Sequence, residues 1–359
     1  MITFKETQDT VLRKFNLNPD ELTEAPQVLS LVKQFINDSQ QQVYERQMLW
    51  MRKEGKISIK AKYNTGNIAV TNGSATITGT TTTWTLAMVG QKIIISSVAY
   101  RIASFTSATS LTLDTEYIGT TASGLSYAIY YDTYLMPIDF KTLIDIGAKN
   151  MNEFDYLDDF EDERDERMST STTTNTPTAI KLLHRDSALY STGTVSTTDG
   201  SATITGSGTT WDNSLIGHYI QIGNYGRTYK ITAVAGATSL TIEKNFGNGT
   251  LSTQNYKIDP PGLHLLRFYN SPETAKIIPY TYWPRDIKLY DNDDMSPIPS
   301  DSVLSLGAIW RYSKADDTLI RVSNISADRS KIDFEDEIRR LTGRGLVETQ
   351  GDKVQYRDV

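Results

Sequence analysis

Two short stretches decide the reading of this chain: NGSATITGTTTTW at Asn72–Trp84 and DGSATITGSGTTW at Asp199–Trp211. They share GSATITG unchanged, and the correspondence continues beyond them. Met88-Val89-Gly90 matches Leu215-Ile216-Gly217, and Ile93-Ile94-Ile95 matches Ile220-Gln221-Ile222. After a two-residue difference in length, SATSLTL at Ser107–Leu113 matches GATSLTI at Gly236–Ile242, and Tyr127 matches Tyr256. A match this long at one spacing is a duplication. It places one copy at residues 67–131 and the other at 193–258.

Each copy has the two-residue period of a half-buried strand, with Ala75/Ile77, Ile93/Ile95, Leu111/Leu113 and Tyr127/Ile129 alternating with polar or small neighbours. Asn72-Gly73 and Asp199-Gly200 are tight-turn dipeptides, so a hairpin is expected before each ATIT strand. Trp84, Trp211, Tyr127 and Tyr256 are the candidate core of these small all-β, sandwich or barrel-like modules. An exposed, ligand-stacking tryptophan fits less well, because both are followed by the same apolar-Gly-apolar pattern.

The sequence around the repeats has a helical period. Thr23 can cap a helix with Pro26 in its first turn, after which Val28, Leu31, Val32 and Phe35 share a face. The pattern continues through Val43, Met48, Leu49 and Trp50, and a shorter helix is expected around Thr7–Phe15. Ser300 or Asp301 opens a segment with Val303, Leu306, Ile309 and Trp310 on one side. Ser330–Thr342 carries Phe334, Ile338 and Leu341 at helical spacing, with Gly343 as its expected C-cap. Leu263–Phe268 and Ala275–Trp283 have strand character. The expected class is therefore α+β: a helical platform with a C-terminal mixed α/β part, interrupted by two homologous β modules. Its segments are 1–66 (N-terminal helical part), 67–131, 132–192 (platform segment with an acidic linker), 193–258, and 259–359. Val28, Leu31, Phe35, Trp50, Trp310 and Phe334 are the candidate platform packing residues.

The chemistry-bearing residues are few. With no cysteine among 359 residues, disulfides, thiolate metal sites and cysteine nucleophiles are excluded. The three histidines, His184, His218 and His264, stand in separate contexts that read as structural. No G-x-S-x-G, Walker A or H-E-x-x-H element is present. No enzyme activity, cofactor or metal is expected. The run Glu153–Arg167 (EFDYLDDFEDERDER) is rich in carboxylates but lacks the glycine and terminal glutamate of a calcium loop. It reads as a solvated linker, continued by STSTTTNTPT at Ser169–Thr178, or as a channel-facing segment in which Asp158, Asp159, Glu161, Asp162 and Glu163 repel phosphates. The net charge of −7 counts against general nucleic-acid binding. MITFKETQDTVLRKF lacks the apolar region of a secretory signal, and no run of about 18 apolar residues predicts a membrane span.

The β module resembles one common in structural proteins of tailed bacteriophages, and the frame around it resembles the head-to-tail adaptor, or neck ring, proteins. The residues that carry this are the N-terminal helix ending near Trp50, Leu135-Met136-Pro137-Ile138-Asp139-Phe140, Tyr280-Thr281-Tyr282-Trp283-Pro284, and Ser296-Pro297-Ile298-Pro299 before a helix. Met136 lengthens the family's L-P-x-D-F element by one residue. The resemblance implies a ring subunit, twelve copies in the family's pattern, made in the host cytoplasm and placed at the virion neck. Its partners would be copies of itself, the portal protein, and tail, nozzle or fibre proteins, with genomic DNA passing through without sequence-specific binding. The rival expectation is a tail-fibre or adhesin-type protein that binds host glycans through its β modules.

Overall fold

The computed structural model describes residues 2–19, 26–46, 49–147, 155–156, 179–224, 226–247, 249–269, 274–300, 302–315 and 326–351. The fold is α+β with β-rich modules, and the chain divides into two units, one of residues 1–53 with 282–359 and one of residues 54–281. The segments between and after the repeats, 132–192 and 259–281, fall in the second unit.

Among the described residues, four helices build the first unit: α1 (Phe4–Lys14), α2 (Pro26–Glu45), α3 (Val303–Ala315) and α4 (Ala327–Gly351). A capping box starts α1: Glu6 N donates to Thr3 Oγ1 at 3.2 Å and Thr3 N donates to Glu6 Oε2 at 2.7 Å. Val11 and Leu12 of α1, Val32, Ile36 and Val43 of α2, Ala308 and Ile309 of α3, and Phe334 and Ile338 of α4 close one core. Gly307 permits the close approach of these helices, since a Cβ there would sit 2.7 Å from Ser39 Cβ and 2.8 Å from Phe334 Cε2. Arg311 crosses the same contact, donating to Ser39 Oγ at 2.9 Å and Gln42 Oε1 at 2.6 Å while lying over the Trp310 ring. Asn37 fastens the preceding strand-to-helix connection by accepting from Leu289 N at 2.7 Å and donating to Leu289 O at 3.1 Å.

Two expectations need correction. The α2 helix stops at Glu45, and Leu49–Met51 is a separate 3-10 turn in which Leu49 is 44% exposed. The α4 helix runs through Gly343 to Gly351. A glycine inside a helix costs only about 1 kcal/mol, so neither Gly343 nor Gly345 ends this one. Thr23, Met48 and Asp301 lie outside the described residues.

In the second unit, each repeat folds into a seven-stranded sheet with the same strand order. In the first copy the order is Ala122–Leu125, Asn67–Val70, Thr76–Thr80, Ser110–Leu113, Val98–Ser107, Lys92–Ile95, Tyr127–Tyr130. The second copy repeats it with Leu251–Gln254, Thr194–Thr197, Thr203–Ser207, Ser239–Ile242, Thr228–Gly236, Tyr219–Ile222 and Tyr256–Ile258. The two outermost strands are consecutive in sequence, so the sheet curls until its edges meet, which is barrel-like. The longest strand is bulged twice in each copy, between Ile102/Ser104 and Phe105/Ser107 and between Ile231/Ala233 and Val234/Gly236. Bulges supply the bend this curl requires. The two-residue difference in length sits in one hairpin. Ser96 and Ser97 turn it with φ of 49° and 65°, both left-handed as a type I′ turn needs, whereas the second copy has four residues, 223–226, between the positions that match Ile95 and Val98.

Two smaller sheets gather the connections. One orders Lys53–Ile59, Lys276–Pro284 and Phe140–Ile146. The other orders Asp155–Tyr156, Ala179–His184, His264–Tyr269 and Thr133–Leu135. Among the described residues no helix is long and apolar enough to cross a membrane.

Candidate functional site

The repeated motif encodes a core plug. Trp84 and Trp211 are 2% and 3% exposed. Each indole folds back over the glycine that ends GSATITG: a Cβ on Gly79 would meet Trp84 Cη2 at 2.9 Å, and one on Gly206 would meet Trp211 Cη2 at 2.8 Å. Thr82 and Thr209 then tie the turn down, donating to Ala108 O at 2.7 Å and Ala237 O at 2.6 Å. Trp84 Nε1 donates to the Tyr127 hydroxyl at 2.9 Å, which donates to Thr65 O at 2.7 Å. Trp211, Tyr256 and Thr192 repeat this at 3.1 and 2.6 Å. Burial pushes both tyrosine hydroxyls above their ordinary pKa, against the opposing pull of the indole N–H, so the phenols stay neutral. These four aromatics are fully used in holding the modules together.

A fifth element escaped the sequence reading. Tyr63 and Tyr190 complete the constellations, accepting from Thr83 N at 2.7 Å and Thr210 N at 2.9 Å. Their main chains bridge to Ile129 and Ile258. The signal is a second short repeat, Tyr63-Asn-Thr-Gly66 and Tyr190-Ser-Thr-Gly193, which lies just before or across the expected module starts at 67 and 193.

The two modules meet through equivalent 3-10 turns, Leu86–Met88 and Asn213–Leu215. Asp212 caps its own turn by accepting from Ser214 N at 2.7 Å, and it accepts from Leu86 N of the other copy at 3.1 Å. Ala87 N donates to Ser214 Oγ at 3.1 Å, and Leu86 is buried among the second module's apolar residues.

Beside this contact lies a cleft of about 290 Å³. Its aromatic walls come from Tyr131, Tyr134, Tyr219 and Tyr280, and its polar groups include Lys60, Gln91 and His218. Lys60 places its ammonium 5.2 Å from the Tyr131 ring centroid. Burial lowers the Lys60 pKa, and the Asp212 carboxylate works against that shift. Burial likewise raises the hydroxyls of Tyr131 and Tyr280 to about 12, so both are neutral donors at physiological pH. His218 is oriented from behind: its Nδ1 lies 2.7 Å from Oδ2 of the fully buried Asp259. Asp259 also accepts from Tyr219 N at 3.0 Å, and Arg185 Nη2 stands 3.9 Å from it.

The remaining expected residues fall elsewhere. Val28, Leu31, Phe35, Trp50 and Trp310 are partly buried against the helical core, with Phe334 fully buried in it. Asp158, Asp159, Glu161, Asp162 and Glu163 lie outside the described residues; of that run, Asp155–Tyr156 forms a short strand parallel to Ala179–Ile180. His184 and His264, separate in sequence, are cross-strand partners with ring centroids 4.5 Å apart. Among the described residues one acidic trio, Asp291, Asp293 and Asp294, brings carboxylate oxygens within 4.8 Å of one another. Asp294 Oδ2 there accepts from Tyr290 N and Asp291 N at 2.7 and 2.8 Å, the bonding of a closed turn.

No family model and no curated protein matches this chain. Among solved structures, the translation elongation factor SelB from Methanococcus maripaludis, in complex with the GTP analogue GppNHp, aligns with 60% of this chain and 63% of its own at 12% identity. The TM-score is 0.16, which supports no argument from that likeness.

Proposed function

We propose that this chain is a structural virion protein, a subunit of the head-to-tail adaptor ring that joins the portal to the tail of a tailed bacteriophage and forms part of its DNA conduit. The observation that carries the reading is the layout of the chain. Both flanks contribute to one helical core, and a β-rich unit with two copies of one module is inserted between them. The sequence elements behind the resemblance occupy coherent positions in that layout. Trp50 follows α2, Leu135–Phe140 links two strands, Tyr280–Pro284 ends a strand, and Ser296–Pro299 leads into α3. In this reading the helices are the platform, the modules face neighbouring virion proteins, and the net negative charge lets DNA slide past. Head-to-tail contacts between identical copies close a ring when the rotation between them is a fraction of a full turn.

Analytical ultracentrifugation and negative-stain microscopy of the protein mixed with the cognate portal protein test this. Closed rings of uniform copy number bound to the portal are expected. A chain that stays monomeric and leaves the portal unbound overturns the proposal.

A further inference from the structure

The cleft beside the module contact is marked by a difference between the two repeats. Gln91 and His218 follow matching glycines, Gly90 and Gly217. Gln91 is turned inward and spent: Nε2 donates to Thr133 O at 2.8 Å, and Oε1 accepts from Asp132 N at 3.0 Å and Thr133 N at 3.2 Å. His218 commits Nδ1 to Asp259, leaving Nε2 as the ring's remaining polar atom on a side chain that is 20% exposed and lines the cleft. Both side chains line the cleft, but the Gln91 amide is committed to the backbone of Asp132 and Thr133, whereas the His218 ring keeps one polar atom beyond its bond to Asp259. The framework residues of the motif, by contrast, are the same in both copies.

We propose that this cleft binds an acidic sugar unit of the uronic-acid type, with its carboxylate on Lys60, a ring hydroxyl on His218 Nε2, and its apolar face against the tyrosine wall. The chemistry follows from what lines the space. Tyrosine rings bury an apolar ring face without excluding polar edges, which suits a pyranose better than a hydrocarbon. The volume of about 290 Å³ accommodates a small ligand. The Lys60 ammonium lies over the Tyr131 face in a partly desolvated position, where an anionic partner is worth more than it would be in bulk water. Met136 and Leu135 complete an apolar floor. This inference is independent of ring formation, and it can fail or stand whatever the oligomeric state.

Saturation-transfer NMR and calorimetry on the full chain with glucuronate, galacturonate, glucose and inorganic phosphate test it. The expected result is saturable uronate binding that Lys60→Gln weakens by roughly tenfold. Tyr131→Leu is expected to weaken it too, whereas Lys257→Gln, at a position outside the cleft, leaves it unchanged. Unchanged thermal melting of the Lys60→Gln protein separates a lost contact from lost folding. Four outcomes overturn the proposal: no saturable uronate binding, glucose binding as tightly as glucuronate, phosphate displacing glucuronate with equal affinity, or indifference to Lys60→Gln.

Discussion

Lys92 is 2% exposed in the strand Lys92–Ile95, an unusual place for an ammonium. Burial lowers its pKa from 10.5 to about 8, the Asp132 carboxylate opposes that shift, and Arg101 and Arg267 add to it. The folded pKa lies below the unfolded one, so between about 8 and 10.5 the unfolded chain holds more protons. Stability therefore rises with pH across that window, and the cost of the buried charge, about 3 kcal/mol, is fully present below it. Lys92→Met keeps the volume and leaves Asp132 its paired bonds from Arg101 at 2.7 and 2.8 Å. The variant is expected to be more stable than the parent at pH 7 by about 1–3 kcal/mol, with the difference shrinking toward pH 10.5. Urea denaturation at pH 7, 9 and 10.5 checks this, and a constant difference across the three would refute it. The sequence held no hint of this burial. Lys92 precedes an apolar run that alternates correctly without it, and only the pairing of Lys92–Ile95 with Tyr127–Tyr130 brings Asp132 alongside.

Among the secondary-structure elements, the paired 3-10 turns decide whether the β modules behave as one body. Asp212 serves both turns at once, while Thr85, its counterpart in the first copy, makes no side-chain cap bond. Asp212→Ala is expected to cost about 1–2 kcal/mol. It should also speed hydrogen exchange at the Leu86, Ala87 and Ser214 amides while leaving Trp84 and Trp211 amides protected. Exchange mass spectrometry reads the contrast, and equal loosening of both module cores would contradict it. The turns and strands themselves were largely legible: Asn72-Gly73 and Asp199-Gly200 form the expected hairpins, with glycine φ of 75° and 73°. The Ser96-Ser97 turn was not, because serine gives no sign of left-handed backbone. Nor was the cleft, whose lining comes from residues 60 to 280, and proximity of that kind has no local periodicity.

At the level of the whole molecule, the duplication revealed the β modules directly, while the division of the rest depended on long-range pairing. The β-rich unit is entered along Lys53–Ile59 and left along Lys276–Pro284, neighbouring strands of one sheet, and both module cores lie wholly inside it. Residues 54–281 expressed alone are expected to fold, with a cooperative melt and the exchange protection of the full chain at Trp84 and Trp211. A fragment that exchanges freely at both would show that the unit depends on the helices.

The core made from both flanks also imposes an order on synthesis. Helices α1 and α2 leave the ribosome before the β-rich unit, and α3 and α4 after it. At typical elongation rates the apolar face of Val11, Leu12, Val32 and Ile36 waits roughly ten to fifty seconds for its partners. A nascent chain released before Val303 never covers that face. A chain terminated there is thus expected to be more readily cleaved by protease within residues 4–45 than the full chain is.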